Sequence, residues 1–323
     1  MNNLLKDLND EDLKIFEEEF KDFLPEEIMD SHVHLWRKDF FKKEISESRR
    51  NQNPGLDPDL IDGFTIEDFK SFTNKIFPDK KYSGLFFGLP IKEADLDEMN
   101  KYISGVCTQN DSYGLFNPGP DLKEIPEDFF KNRFIGFKPY VDLVDFKAPE
   151  DFSKLDIDIS IFDFISKKVF EFSQEYGLIL LIHIPRAGRL NDRRNIEELK
   201  TISKKYPNIK IVLAHAGRSY CYSDIKDSIK YLKEIKNLYV DTAMINSFSV
   251  NKVLMEELGS ERILYGSDLP IATFKGKNID INNRHYFVTN TPKVWSLSAS
   301  EMSLDDFTLF IYEIIRAIRV AAL

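Results

Sequence analysis

The chain has 323 residues, 42% of them hydrophobic, and a formal net charge of −10. That length supports one large core and is short for two well-built enzyme domains. The acidity is dispersed through segments such as EDLKIFEEEF, which excludes the basic footprint of a nucleic-acid-binding protein. Only two cysteines occur, Cys107 and Cys221, without CxxC spacing. They argue against a disulfide framework and for a reducing, cytoplasmic setting. No 18-residue apolar run marks a membrane span, and the charged start MNNLLKDLNDEDLKIF does not read as a signal peptide.

In chain order, residues 1–26 are expected to form one or two short helices. Eight short β-rich runs follow: Glu27–His34, Tyr82–Leu89, Ser112–Asn117, Phe134–Val141, Leu178–His183, Ile209–His215, Leu238–Thr242 and Arg262–Gly266. Residues 37–80 form a long insertion after the first run, with RRNQNPGLDPD as a loop and TIEDFKSFTNKIF as a helix. This insertion is a candidate lid or pocket wall; the alternative is surface decoration. Amphipathic spacing predicts helices over Glu93–Gln109, Ile159–Tyr176, Asn195–Tyr206, Asp224–Lys236 and Ser247–Leu258. After the last strand a loop leads to an apolar C-terminal helix over residues 304–321, expected to pack on the body or on a partner. Alternating strands and helices predict parallel βα units, and eight of them give an α/β fold, the (β/α)₈ TIM barrel, as one domain over 1–323. A doubly wound open sheet would carry a glycine-rich loop after its first strand, and the first strand here runs into HVHLW.

Four of the five histidines sit where an apolar run ends: His32 and His34 in DSHVHLW, His183 in LLIHIP and His215 in VLAHAG. Asp268, in LYGSDLP, ends the last run. Side chains at i and i+2 of a strand share one side, so His32 and His34 can face one ion. In a barrel the strand ends gather around one mouth, and imidazole with carboxylate is the donor set of a divalent metal. Structural, hydrogen-bonded histidines are the alternative.

These motifs, in this order, resemble the amidohydrolase superfamily, in the amidohydrolase-related branch that includes aminocarboxymuconate-semialdehyde decarboxylase. The resemblance covers most of the chain beyond residue 27. It implies a metal-dependent TIM barrel in which His32, His34, His183 and Asp268 bind one metal and His215 contacts substrate or metal-bound water. Lys138, in FIGFKPYV, falls where binuclear relatives carry a carbamylated lysine that bridges two metals. Contact with a substrate carboxylate and a surface, snorkelling lysine are the other readings. The donor set suits zinc, with manganese, iron or cobalt as other occupants, and a second metal only if Lys138 is carbamylated.

A divalent ion so held acidifies water and polarises a carbonyl. Asp268 is the expected proton acceptor as well as a ligand, or a ligand only, and His215 is the general acid–base or electrophile. Arg186 and Arg189 in HIPRAGRL and Arg218 in HAGRS follow the strand-five and strand-six histidines. Guanidinium forks match carboxylates, so these arginines suggest an anionic substrate, unless they pair with local acids such as Asp192 or Asp224. The leading expectation is a hydrolase acting on a small carboxylated lactone, amide or cyclic ester. A lyase (a decarboxylase or hydratase of an unsaturated or aromatic acid) uses the same pocket, and a catalytically silent metal-binding barrel is the third reading. A homodimer through the terminal helices is compatible with the sequence. Arg284 and His285, in NNRHYFV, could also reach the mouth; His285 reads first as a surface or loop-packing histidine.

Overall fold

The computed structural model describes residues 8–50, 54–144, 158–291, 293 and 295–323. Eight parallel strands follow one another around a single sheet: β1 (Glu27–His34), β2 (Lys81–Phe87), β3 (Tyr113–Phe116), β4 (Phe134–Phe137), β5 (Ile179–Ile182), β6 (Lys210–Leu213), β7 (Leu238–Asp241) and β8 (Ile263–Leu264). The seam between first and last strands closes through Ser31 N–H to Tyr265 O (2.8 Å), Asp268 N–H to His32 O (3.0 Å) and His34 N–H to Leu269 O (2.8 Å). This is the (β/α)₈ barrel expected from the eight apolar runs.

Alternate strand residues feed two cores. Leu85, Phe87, Leu115, Leu181 and Val212 form one cluster, while their neighbours Phe86, Phe116, Leu180, Ile182, Ile211 and Leu213 join the larger one shared with the helices. That division follows from the two-residue period of a strand. Gly136 makes the β4–β5 approach possible, because a Cβ there would lie 2.1 Å from Ile179 O.

The helices include α1 (Asp10–Ile15), α2 (Ile66–Ile76), α3 (Leu96–Gln109), α4 (Lys167–Tyr176), α5 (Arg193–Lys205), α6 (Ile229–Glu234), α7 (Phe248–Leu258) and α8 (Phe310–Ala322). Two of the expected helices are broken. The 159–176 segment stops at Phe164 and restarts at Lys167, where the Ser166 side chain accepts from Val169 N–H as an N-cap. The 224–236 segment splits into Tyr222–Ile225 and α6.

The loop expected after the last strand is instead largely an antiparallel sheet. It contains β9 (Lys275–Ile281), β10 (Arg284–Thr289), β11 (Leu297–Ser298) and β12 (Thr308–Leu309), in the order β11–β10–β9–β12 with β10 and β11 parallel. Asn282 and Asn283 turn the β9–β10 hairpin with φ of +51° and +61°. Two central residues at positive φ match the right-handed twist of the flanking strands.

The C-terminal helix starts at Phe310, not at 304, and packs on its own chain. Tyr312 Oη donates to Ile76 O (2.7 Å), and Arg316 pairs with Glu19 (2.6 Å). The N-terminal segment is further held by a buried Lys275–Asp12 pair at 2.8 Å. In the insertion, Trp36–Arg37 pairs with Gly63–Phe64, and Thr65 caps α2 through a reciprocal bond with Asp68. Among the described residues no helix is long and apolar enough to cross a membrane.

Candidate metal centre

The C-terminal ends of the barrel strands surround a pocket of about 120 Å³. Its polar floor is His32, His34, Lys138, His183, His215 and Asp268; its walls include Trp36, Leu89, Tyr140, Tyr220 and Ile271. Pro54 and Gly55 of the insertion complete the rim, so part of the insertion is pocket wall.

The β1 strand is bulged where the histidines begin. Asp30 pairs with Gly84, but Val33 already pairs with Phe86, which leaves Ser31 and His32 opposite one residue. Such a bulge re-aims side chains beside a site. His32 is fully buried. Its Nδ1 lies 2.8 Å from Asp241 Oδ2, His34 Nδ1 lies 2.8 Å from Gly88 O, and His215 Nδ1 lies 3.0 Å from Ala243 O. A carbonyl oxygen only accepts, as does an ionised carboxylate, so each Nδ1 carries the hydrogen and each Nε2 keeps a lone pair.

Those lone pairs converge. His32 Nε2 is 3.3 Å and His34 Nε2 is 3.6 Å from Asp268 Oδ1. One donor atom each from His32, His215 and Asp268 lies within 4.8 Å of the others. His32 Nε2 is buried without a hydrogen-bond partner. With Asp268 ionised these atoms are all acceptors, and neutral imidazoles with a carboxylate suit a divalent metal. The imidazoles are neutral: burial depresses His32, His34 and His183 well below the usual range and takes His215 down to about 3.

His183, one residue past β5, lies beside this compact group. Its ring centroid is 5.3 Å from that of His215 and 5.4 Å from that of Tyr140, and its Nδ1 is buried without a partner. Lys138, one residue past β4, is 1% exposed, which removes the surface reading. Its Nζ lies 5.2 Å from the Phe87 ring centroid. It has no carboxylate within 4 Å among the described residues, and burial lowers it to about 8 against the pull of Asp241 and Asp268. Burial likewise pushes the Asp268 carboxyl well up, with Lys138 opposing.

None of the three arginines lines the pocket. Arg186 is bound to Glu198 (2.7 Å), Asp158 (3.2 Å) and Asn195 (3.1 Å). Arg189 pairs with Asp224 at 2.6 Å and lies over the Tyr220 ring. Arg218 differs: it has no acidic partner within 4 Å among the described residues, and its Nη1 is 3.4 Å from the carbonyls of Ile184, Pro185 and Arg186. His215 through Arg218 form a left-handed turn with four consecutive positive φ values, of +55°, +47°, +68° and +61°. Gly217 fits there because a Cβ would lie 2.8 Å from Leu190.

Sequence reasoning missed Asp241, at the end of β7 in LYVDTAM. It holds the same strand-end place as the histidines, but a lone aspartate carries no spacing signal. It also missed the hold of the second sheet on Tyr220, which stacks on His285 (4.8 Å between centroids) and whose carbonyl accepts from Asn278 Nδ2 at 3.3 Å. His285 lies in strand β10, not in a loop, and packs against Tyr220.

The chain matches the family described as Amidohydrolase over residues 29–283. No curated protein sequence matches it. Among solved structures, amidohydrolase 2 from Bifidobacterium longum subsp. infantis is 14% identical, with 77% of this chain and 86% of that one covered and a TM-score of 0.49. The 5-carboxyvanillate decarboxylase from Sphingomonas paucimobilis is 17% identical, with 76% and 89% covered and a TM-score of 0.47. A 2-pyrone-4,6-dicarboxylic acid hydrolase assignment from Pseudomonas putida is 15% identical, with 76% and 84% covered and a TM-score of 0.49.

Proposed function

The chain belongs to the amidohydrolase family, whose members are metal-dependent enzymes, and on that premise we propose that it is a hydrolase of small anionic substrates such as carboxylated lactones, amides or cyclic esters. The observation that supports this reading most is the convergence of unprotonated His32 and His34 Nε2 atoms on Asp268 Oδ1 beside a buried lysine. His32, His34 and Asp268 would hold one divalent cation. His183 remains the further ligand that the motifs imply, and the compact set with His32 and Asp268 makes His215 a ligand candidate as well. When bound, such a cation acidifies water and polarises a carbonyl.

The chain's own groups do the rest. Asp268 accepts the proton released by water. His215, held by Ala243 O, presents Nε2 to the reacting centre. Lys138 supplies a positive charge to a substrate carboxylate, and Arg218 is another cation beside the mouth with no acidic partner within 4 Å among the described residues. Arg186 and Arg189 are already neutralised by acids and are not assigned to substrate. The volume of about 120 Å³, open to solvent on one side, suits a small substrate.

Metal analysis of the purified, unchelated chain is the first test. About one equivalent of a divalent transition metal supports the reading, and far less than one counts against it. With a panel of carboxylated lactones, amides and unsaturated or aromatic acids, cleavage of an ester or amide bond by water identifies the hydrolase, whereas release of carbon dioxide, or addition of water to a double bond without cleavage, identifies the lyase in its place.

A further inference from the structure

The Asp241 carboxylate is fully buried, and its two oxygens have separate duties. Oδ1 accepts from two backbone donors, His215 N–H at 2.7 Å and Ala243 N–H at 3.1 Å. Oδ2 accepts from the His32 imidazole, Nδ1 at 2.8 Å. One side chain at the end of β7 therefore touches the ring of one site histidine and the left-handed backbone of another. We infer that Asp241 is a positioning residue that sets the His32 tautomer, keeping hydrogen on Nδ1 so that Nε2 faces Asp268 as a bare lone pair. This role rests on the metal reading above, since the lone pair matters only if a cation takes it.

The inference makes an unusual prediction for Asp241→Asn, which keeps the shape. An amide has one accepting oxygen and one donating NH₂. With its oxygen in the Oδ1 place it keeps both backbone bonds; reversed, it loses both. The favoured orientation therefore aims NH₂ at His32 Nδ1. Nδ1 must then accept, and the ring hydrogen moves to Nε2. There it meets Asp268 Oδ1, 3.3 Å away, and the metal-free pocket satisfies itself. The variant should fold about as well as the parent yet bind metal poorly, because binding must first undo that tautomer. Loss of an outer carboxylate behind a metal-binding histidine typically costs about 10–100-fold in metal affinity.

The test uses the full chain stripped with a chelator, with Zn²⁺ alone as the probe. Competition titration gives the affinity, and ¹⁵N NMR of the five imidazoles, assigned by single-histidine replacement, gives the tautomers. The expected results are Nδ1–H at His32 in the parent and Nε2–H in Asp241→Asn. Zn²⁺ affinity should fall 10–100-fold while the melting temperature of the stripped protein holds. Parental Zn²⁺ affinity in the variant, or a His32 that keeps its Nδ1 hydrogen there, overturns the role of Asp241 alone. If the variant does not fold, the parent spectrum still decides, because an Nε2–H tautomer at His32 overturns the inference. A parent chain that takes up no Zn²⁺ overturns the metal reading itself.

Discussion

Two sets of charged and polar groups crowd the C-terminal side of this barrel, and they are built on opposite terms. The histidine–aspartate floor leaves atoms unsatisfied: among the described residues His32 Nε2 and His183 Nδ1 are buried without partners, and buried Lys138 has no carboxylate within 4 Å. In the loop behind it, Arg186 and Arg189 are matched by Glu198, Asp158 and Asp224. Native interiors rarely leave polar atoms unpaired, because each costs about 1–3 kcal/mol. Ser173 Oγ and the Asn246 amide are also buried without partners among the described residues, so what marks the floor is that its unpaired atoms converge on one another, whereas the matched arginines hold the fold. Proximity to the mouth does not separate the two sets; completeness of pairing does.

Substitutions can break that contrast. The largest effect is expected at the floor: Asp268→Ala should lower kcat by about 10³-fold or more and abolish stoichiometric metal. A variant that keeps parental turnover would remove Asp268 from the chemistry. Chelation should have a comparable effect, reversed by adding back a divalent metal, and should lower the melting temperature, because a ligand at about 1,000 times its Kd contributes about 4 kcal/mol.

Lys138→Met should raise KM for an anionic substrate roughly 10- to 100-fold, the worth of a charged hydrogen bond, without lowering the melting temperature, since a buried ammonium lacking a close partner stabilises little. An unchanged KM would mean that the lysine does not meet substrate. Arg186→Ala should do the reverse: a loss of about 2 kcal/mol in stability on urea unfolding, as Glu198 loses its partner, with KM unaltered. A rise in KM with intact stability would return Arg186 to the substrate. The smallest change is expected at Trp295→Phe, which removes the bond from Nε1 to the buried Asp57 carboxylate (3.1 Å). It should cost about 1 kcal/mol on the same unfolding scale.

How much of this was legible depended on burial. Most of the barrel strands are largely buried apolar runs, such as ILLI and KIVL, so their number, order and approximate limits can be read from the apolar pattern. The β9–β10 hairpin is half exposed, and its strands KGKNIDI and RHYFVT mix charge with apolar residues, so it was expected to be a loop. Its Asn282–Asn283 turn was the one local sign of it. The histidines were legible because few exist and most end a strand. Asp241 shares that placement but is one of 54 acidic residues, so position alone could not select it. The arginines exposed another limit: sequence puts a side chain in a loop but does not say which way it points, and Glu198 on α5 decided that for Arg186.

The seam has a consequence for the order of events in a cell. Asp30 accepts from Ser267 N–H at 2.9 Å across 237 residues of sequence, and the same junction joins His32 and His34 to Asp268. A nascent chain exposes both histidines long before the ribosome has made the aspartate. If His32, His34 and Asp268 hold the cation as proposed, their cage is complete only once the first and last strands have met, so holding metal would report that the barrel has closed.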